Sequence, residues 1–287
     1  HRSGRFLRLG SGATMGVRMS HSALCEDAVA SARQLIREGR ANEAISRLRA
    51  AAHQYDAYAR QSLYAHLARL IVESEPGLPV IRLAVLSGST LDQWTDCLRF
   101  WLLLEGFRLE PYIAPFNTWR QEALNPDSGL HAFGPDVIWF FLTSRDLAFK
   151  TIPDSDRDAD AMVGMVLSDV VSVVKQACSR STALTVVNNA ELSSTRVFGN
   201  LEGQNANSRA NLLRRYNLAL PAALPASCAV FDLDHQAARF GLDRWEDPRL
   251  WYHSKHPFAL DATGPVAFAA ARLVAAARGR ARKCIVL

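Results

Sequence analysis

A serine and a histidine at distant places in the chain could together cleave or transfer an acyl group. Ser89 follows the apolar run at residues 81–86, and His256 stands shortly before the last predicted helix. A serine hydroxyl becomes a good nucleophile when a histidine within hydrogen-bond reach, about 2.6–3.2 Å, accepts its proton. Two structural alternatives remain open. Ser89 could cap the helix that begins near Asp92, and His256, next to a proline, could be a structural hydrogen-bonding residue.

Two other polar residues follow predicted strands. Arg145 comes shortly after the apolar run at 137–142, and Asn188 ends the run at 184–188. Arg145 could bind a carboxylate or a phosphate through two parallel hydrogen bonds, or it could pair with a nearby aspartate and face water. Asn188 could bind a ligand at the rim of a sheet or cap a turn. The sequence has no glycine-rich phosphate loop and no cluster with metal-ligand spacing, so it predicts no metal and no cofactor.

An alternation of short apolar runs with amphipathic segments, from Val80 onward, would position these residues. The pattern predicts strands at 81–86, 108–113, 137–142, 184–188 and 228–233. It predicts helices at about 92–105, 116–124, 159–178, 203–219 and 264–278. Such alternation is typical of a parallel sheet between two layers of helices, a three-layer αβα fold. In folds of this kind the site lies at the carboxyl ends of the strands, where Ser89, Arg145 and Asn188 would meet.

The chain divides into four pieces by composition. Residues 1–20 are rich in Gly, Ser and Arg and are interpreted as an expression-tag remnant. Residues 21–77 have the spacing of helices and are interpreted as a hairpin or small bundle. This segment would pack on an α/β domain at 78–279, which a stub at 280–287 follows. An alternative is that residues 22–75 form an oligomerisation platform.

Charge, apolar run length and cysteine spacing limit the classes of partner. The formal net charge is +5, and the arginines of residues 1–20 account for four of these charges. The remainder of the chain has no basic stripe interleaved with aromatic residues, so nucleic acid is not an expected partner. No apolar run approaches the roughly 20 residues that span a bilayer. Five widely spaced cysteines fit reduced thiols better than disulfides or zinc. We therefore expect a cytoplasmic protein with no membrane partner.

Residues 81–278 resemble the SGNH (GDSL-type) hydrolases. The motifs that carry the resemblance are "SGS" at 87–89, "GPDVIWFFLTSRDL" from 134 and "HSKHPFALDATG" from 253. The resemblance implies a mainly parallel, five-stranded, flavodoxin-like sheet. It also implies that Ser89 is the nucleophile and His256 is the base.

The supporting positions of that family are altered in this chain. His253 stands where the family has an orienting aspartate, and Arg145 stands where it has an oxyanion-binding asparagine. The glycine that helps to bind the oxyanion would be Gly129. The resemblance therefore implies one of two sites. Either a Ser89–His256 dyad is active as an esterase, thioesterase or acyltransferase, or a degenerate hydrolase site serves binding.

Several stretches, in order, are similar to the amino-terminal region of FkbH-like polyketide-pathway proteins. They are "NPDSGLHAFGPDVIWFFLTSRDL", "GNLEGQNANSRANLLRRYNLAL", "FGLDRWEDPRLWYHSKHPF" and "RGRARKCIVL". In that family a following HAD-type domain transfers a glyceryl unit to an acyl carrier protein. The resemblance implies a substrate- or carrier-protein-binding domain. Its partners would be an acyl carrier protein, the following HAD-type domain and a small acyl or glyceryl substrate. It also implies that the glyceryl-transferring domain lies outside residues 1–287.

The stretch "AVFDLDHQ" contains an Asp-x-Asp pair like that of HAD-type phosphatases. The pair is Asp232 and Asp234, but His235 stands where that family needs Thr or Val. We expect these aspartates to end the fifth strand and cap the next helix.

Overall fold

The computed structural model describes residues 21–51, 61–75 and 77–280. The interpretation of residues 1–20 as a tag, and most of the stub at 280–287, concern residues outside this range.

Five parallel strands form one sheet with the spatial order β2-β1-β3-β4-β5. They are β1 (Val80–Ser87), β2 (Arg108–Ile113), β3 (Val137–Phe141), β4 (Leu184–Asn188) and β5 (Cys228–Phe231). Every neighbouring pair is parallel. All five residues of β3 are buried because helices cover both faces, which explains why its sequence is continuously apolar. The strand order changes direction at β1, because β2 lies on one side of it and β3 lies on the other. Such a switch point is the place where sheets of this kind bind ligands.

The helices occupy both faces of the sheet and its flank. They are α1 (His21–Arg37), α2 (Ala41–Ala51), α3 (Gln61–Ser74), α4 (Asp92–Leu104), α5 (Trp119–Leu124), α6 (Gly129–Phe133), α7 (Asp156–Arg180), α8 (Arg209–Ala223), α9 (Leu233–Phe240), α10 (Leu242–Trp245), α11 (Pro248–Ser254) and α12 (Leu260–Ala275). A 3₁₀ helix spans Gly199–Gly203, and a π-helical turn spans Ala276–Arg280. The prediction of a three-layer αβα fold with a five-stranded parallel sheet is confirmed.

Local capping explains where several helices differ from the predicted ranges. The Ser155 hydroxyl accepts a hydrogen bond from the Asp158 N–H, so α7 begins earlier than predicted. Ser208 caps α8 in the same way, so this helix begins at Arg209 rather than near residue 203. The sequence before Ser208 forms the separate 3₁₀ helix instead.

Alternate residues of β3 belong to opposite helical layers. Trp139 and Phe141 pack in the cluster that contains α4 and α12. Ile138 and Phe140 pack in the cluster that contains α5, α7 and α8. The period of two along a strand thus divides one apolar run between two cores.

The helices α2 and α3 lie against α4 and continue its core outward, and α1 packs on α2 and α3. Leu48, Leu67 and Ile71 are fully buried in the same cluster as Leu104 of α4. The Arg49 guanidinium also donates a hydrogen bond to the Leu104 carbonyl. This arrangement agrees with a small helical bundle packed on the α/β part.

Among the described residues, two helices are long and apolar enough, by length and composition alone, to cross a bilayer. They span Asp156–Arg180 and Leu260–Arg280. Each has a buried face, which includes Val170 in α7 and Val266 in α12. Core helices beside a sheet pass the same test, so two such helices are weak evidence for a membrane span.

Candidate functional site

The loops that follow β1, β2 and β3 meet at the carboxyl edge of the sheet. Gly88 lies against the Asp146 side chain so closely that an added Cβ would come within 2.9 Å of Asp146 Cγ. The same Cβ would lie 3.5 Å from Asn117 Oδ1. The Asn117 N–H donates to the Ser87 carbonyl at 3.1 Å. These contacts place the residues after three strands in one cluster.

Ser89 is buried at this edge, with 5% of its surface exposed. Its N–H donates to Ser87 Oγ at 2.9 Å, and Ser87 Oγ donates to the Phe141 carbonyl at 2.9 Å. The Ser89 hydroxyl itself has no hydrogen-bond partner among the described residues. Leu91 is the N-cap of α4, and no side chain caps that helix. The alternative in which Ser89 acts as a helix cap is therefore wrong.

His256 lies beside the residues that follow Ser89. The Thr90 N–H donates to the Lys255 carbonyl at 3.0 Å, which joins the two segments. The His256 ring is buried, and its Nε2 lies 3.4 Å from Thr263 Oγ1 in α12. Within the described part of the chain, Nδ1 makes no hydrogen bond of normal geometry. Burial lowers the pKa of His256, and the nearby Thr90 backbone partly opposes this effect. A lowered pKa favours the neutral imidazole, the form that can accept a proton.

The structure therefore brings Ser89 and His256 to one edge of the sheet without joining them. Both Ser89 Oγ and His256 Nδ1 are buried and unpaired, and they do not hydrogen-bond to each other. His253, predicted at the orienting position, lies exposed on α11. The described side chain that contacts the imidazole Nε2 is Thr263 instead.

Arg145 and Gly129 take positions that differ from an oxyanion-binding pair. Arg145 is exposed, with Nη2 3.5 Å from Glu246 Oε2 and Cζ 4.6 Å from the centre of the Trp251 ring. Gly129 begins α6 against Tyr112, where an added Cβ would lie 2.8 Å from Tyr112 Cζ. The close packing against Tyr112 gives a structural reason for glycine at this position.

Asn188 is buried at the end of β4. Its Oδ1 accepts a hydrogen bond from the Trp139 indole at 2.8 Å, which fixes the orientation of the amide. Its Nδ2 has no partner among the residues that the structure describes. The Asn188 amide is therefore fixed in orientation, and its Nδ2 can donate a hydrogen bond to a ligand at the same strand edge. Asn188 does not act as a turn cap.

Glu191, Asp146 and Arg209 also lie at this edge, although they were not predicted as site residues from the sequence. Ser144 donates to the Glu191 carboxylate through its N–H at 3.1 Å and through its hydroxyl at 3.0 Å. Arg209 donates to the carbonyls of Ser144 and Phe149 at 2.7 and 2.6 Å. Asp146 accepts from the N–H of the nearby Thr143 at 2.7 Å. A sequence signal for such residues was available: an acid within a few residues of the carboxyl end of a strand, as Glu191 is after β4.

Burial changes the proton affinity of both acids. It raises the pKa of Glu191 to about 7, and the negative charge of Asp146 adds to that effect. Burial also raises the pKa of Asp146, while hydrogen bonds from Thr143 oppose the change. Near neutral pH, Glu191 can therefore hold or release a proton.

The Asp232–Asp234 pair has the structural role expected from its sequence context. Asp232 caps α9, with Oδ1 accepting from the His235 N–H at 3.0 Å. The same oxygen accepts from the Asn189 amide at 2.7 Å. Asp234 Oδ1 accepts from the Leu192 N–H at 3.0 Å. These bonds tie the loop after β4 to α9. The prediction of a cap is confirmed for Asp232, whereas Asp234 lies within α9 and holds the loop.

The described residues contain no group of three or more His, Cys, Asp or Glu side chains placed to hold a metal ion. The cluster at the strand ends instead offers a buried hydroxyl, a neutral imidazole, an amide donor and an acid with a pKa near 7. Such a set can hold a small polar ligand by hydrogen bonds. It would act as a nucleophile–base pair only if Ser89 Oγ and His256 came within hydrogen-bond reach.

Comparison with protein families found a match to the family model described as FkbH, N-terminal domain, over residues 82–275. Comparison with curated proteins found no match.

Comparison with solved structures found a similar fold in the N-terminal part of the protein BF1531 from Bacteroides fragilis, described as containing a phosphatase domain complexed with Mg. The TM-score is 0.64 at 16% identity, over 78% of this chain and 57% of that chain. This chain thus spans little more than half of that structure, and the likeness concerns the fold alone. An acetyl xylan esterase, AlAXEase, matches with a TM-score of 0.36 at 14% identity, over 66% of this chain and 98% of that chain. That score is too low to support an argument.

Proposed function

The chain belongs to the family of FkbH N-terminal domains, and we propose that it is the substrate- or acyl-carrier-protein-binding domain of an FkbH-like biosynthetic protein. In this proposal the strand-end cluster is a degenerate SGNH-type hydrolase site that binds and does not cleave. The observation that carries it is that Ser89 and His256 lie at one edge without a hydrogen bond between them, and that Ser89 Oγ and His256 Nδ1 are unpaired among the described residues. The exposed position of Arg145 adds support, because its guanidinium pairs with Glu246 at the surface.

A surface on and beside α11 supports a carrier protein as the partner. We call it the α11 face, and it consists of Arg145, Trp251, Tyr252 and Lys255. Tyr252 is 79% exposed, and the Lys255 ammonium lies 5.2 Å from the centre of the Trp251 ring. Lys255 makes no ion pair with any described residue, so its charge is available to an acidic partner. Aromatic anchors beside cations are typical of protein-binding surfaces.

The arginines of α8 are weaker candidates for the same role. Arg215 pairs with Asp156 and Asp160, at 3.5 and 2.8 Å. Arg214 donates to Asn211 at 2.7 Å, and Arg209 is bonded to two carbonyl groups. These cations have partners within the chain, whereas Lys255 of the α11 face has no ion-pair partner among the described residues. We therefore assign docking to the α11 face.

Calorimetric titration with an acidic acyl carrier protein, in apo, holo and acylated forms, tests the proposal. We expect saturable binding that weakens with salt, because charge pairing steers such partners. Tyr252→Ala and Lys255→Glu should each weaken binding by about tenfold. The matched control is Lys175→Glu, which makes the same charge change at an exposed position of α7. The proposal fails if none of the three forms binds, or if the control weakens binding as much as Lys255→Glu.

A second candidate function is an active serine esterase, thioesterase or acyltransferase. The observation that favours it is the Thr90–Lys255 backbone bond, which holds the residues adjacent to Ser89 and His256 together. In this function a rotation of Ser89 would bring its hydroxyl to the neutral imidazole. His256 would accept the proton as Ser89 attacks the acyl carbonyl, and Asn188 Nδ2 would be a donor available to the oxyanion.

Intact mass after incubation with a fluorophosphonate probe distinguishes the two functions. An active dyad predicts one adduct on Ser89 that is lost in both Ser89→Ala and His256→Ala. Ser144→Ala is the matched control, because Ser144 is a buried serine at the same edge whose hydroxyl is bonded to Glu191. The binding function predicts no adduct on Ser89 under conditions in which a reference serine hydrolase is fully labelled. An adduct on Ser89 would reject the degenerate site.

A further inference from the structure

Two thiols are in contact at the opposite, amino-terminal edge of the sheet. Cys178 lies in the last turn of α7 and Cys228 is the first residue of β5. Their sulfur atoms are 3.6 Å apart, and Cys178 Sγ is also 3.4 Å from Thr185 Oγ1. Thr185 is the register partner of Cys228 in the β4–β5 pair. The sheet therefore holds both contacts of Cys178 in place.

We infer that Cys178 and Cys228 form a modification site at which a hydroperoxide produces a disulfide. A disulfide has its sulfur atoms about 2.05 Å apart, so the two would have to approach by roughly 1.5 Å. Rotation of the two side chains can provide a movement of this size. The bond would link the end of α7 to β5, which β4, the 3₁₀ helix and α8 separate in sequence.

The environment of Cys178 favours the reactive thiolate. The hydrogen bond from the Cys228 thiol lowers the pKa of Cys178 to about 6, and the Thr185 hydroxyl adds to this effect. The same contact raises the pKa of Cys228, which therefore keeps its proton. Because the thiolate is the nucleophile, Cys178 is the residue that attacks first and Cys228 is the residue that resolves.

Both cysteines are partly exposed, so a small hydroperoxide can reach the pair from solvent.

The reaction balances with hydrogen peroxide as the oxidant. The Cys178 thiolate attacks one peroxide oxygen, the O–O bond breaks, and hydroxide leaves as the sulfur becomes a sulfenic acid. The Cys228 sulfur then attacks the sulfenic sulfur, the S–O bond breaks, and water leaves with the Cys228 proton. Two thiols and one peroxide thus give one disulfide and two waters.

Cys97 provides an internal control within the same chain. It is 1% exposed in α4, and burial raises its pKa to about 12. A buried thiol with a raised pKa is inert. Cys97 should therefore stay reduced at peroxide doses that oxidise the pair.

Peptide mapping after a peroxide titration tests the inference, with Cys25 and Cys284 replaced by serine so that they cannot exchange. We expect a Cys178–Cys228 cross-linked peptide that dithiothreitol removes, formed at least about tenfold faster than Cys97 is modified. In Cys228→Ser, dimedone should trap a sulfenic acid on Cys178. In Cys178→Ser, no cross-linked peptide should form, and sulfenic acid should form on Cys228 more slowly than it does on Cys178 in Cys228→Ser.

Three results would overturn the inference. One is oxidation of Cys97 before any cross-linked peptide forms. Another is sulfenic acid that accumulates on Cys178 in the presence of Cys228 as it does in Cys228→Ser. The third is a cross-link between chains in place of the internal one, detected as a disulfide-bonded dimer on a non-reducing gel.

Discussion

Buried polar groups without partners define the strand-end cluster at the scale of single residues. Ser89 Oγ, His256 Nδ1 and Asn188 Nδ2 are all in this state within the described structure. An unpaired buried polar group costs about 1–3 kcal/mol, so native proteins keep few of them. Three at the edge where α/β folds bind ligands support the proposal of a site that a bound molecule completes.

From the raised pKa of Glu191 we predict how the free energy of unfolding changes with pH. The carboxyl loses its proton near 4.5 when unfolded and near 7 when folded. Between these values the folded state holds more protons, so the contribution of Glu191 to stability is lost as pH rises from about 4.5 to 7. Glu191→Gln keeps a similar shape without titrating. The free energy of unfolding of the native chain, relative to this variant, should fall by roughly 3 kcal/mol over that range.

Urea unfolding at pH 4.5 and at pH 8 measures this difference. His256 and Asp146 titrate in both proteins, so their effects largely cancel in the comparison. Parallel pH curves for the two proteins would show that Glu191 has an ordinary pKa.

At the scale of elements, short loops after the strands determine which side chains can meet. The loop after β1 passes so close to the loop after β3 that only glycine fits at residue 88. The loop after β4 is bonded to the start of α9 through Asn189 and Asp232. These contacts join the end of β1 to that of β3 and the end of β4 to that of β5.

The close approach at Gly88 predicts a large effect from one methyl group. Gly88→Ala would drive a Cβ into the Asp146 carboxylate, whose Cγ lies 2.9 Å away, and break the contact between the loops. We expect a loss of about 1–3 kcal/mol in the free energy of unfolding, measured by urea denaturation. Adding Asp146→Ala should give less than the sum of the two separate effects, because the two changes share one contact.

Gly164→Ala is the matched control for this prediction. Gly164 lies within α7, and an added Cβ there would meet nothing within 4 Å. Alanine is a better helix former, so stability should stay equal or rise by about 0.5–1 kcal/mol. If Gly88→Ala were equally harmless, the loops could not be packed as described.

At the scale of the whole molecule, one apolar cluster joins α1–α3 to the sheet through α4. Leu48 in α2 and Trp139 in β3 belong to the same cluster. A shared core predicts that these parts unfold together. The expected segments, helical at 21–77 and α/β at 78–279, would then differ in sequence pattern but unfold as one unit.

Leu48→Ala tests this cooperativity. Leu48 is fully buried, so its truncation should cost about 2–5 kcal/mol. All six tryptophans lie between residues 94 and 251, so fluorescence reports the α/β part, while far-UV circular dichroism reports every helix. Both signals should shift to the same lower midpoint. Leu218→Ala, at a position 82% exposed on α8, should change stability by less than about 0.5 kcal/mol.

A shift confined to the circular dichroism signal would contradict the shared core. In that case α1–α3 would unfold as an independent unit, and the α/β part would keep its stability.

Much of the architecture was predictable because the spacing of apolar residues and the length of each apolar run distinguish strands from helices. The ranges of β2 and β4 agree with the prediction at both ends, and β3 ends one residue earlier. These strands are short apolar runs bounded by polar turns, a pattern that burial between helices imposes. Helix starts were less predictable, since Ser208 and not the apolar pattern decides where α8 begins.

Sequence by itself determined the fold class, the family resemblance and the edge at which polar residues gather. Only the tertiary structure decided what those residues do there. The sequence places Ser89 and His256 near one edge but cannot say that their side chains are unpaired. Nor can it show that Cys178 and Cys228, 50 positions apart, are in contact. Periodicity records which face of an element is buried, whereas hydrogen bonding and pKa depend on ångström-scale packing between distant segments.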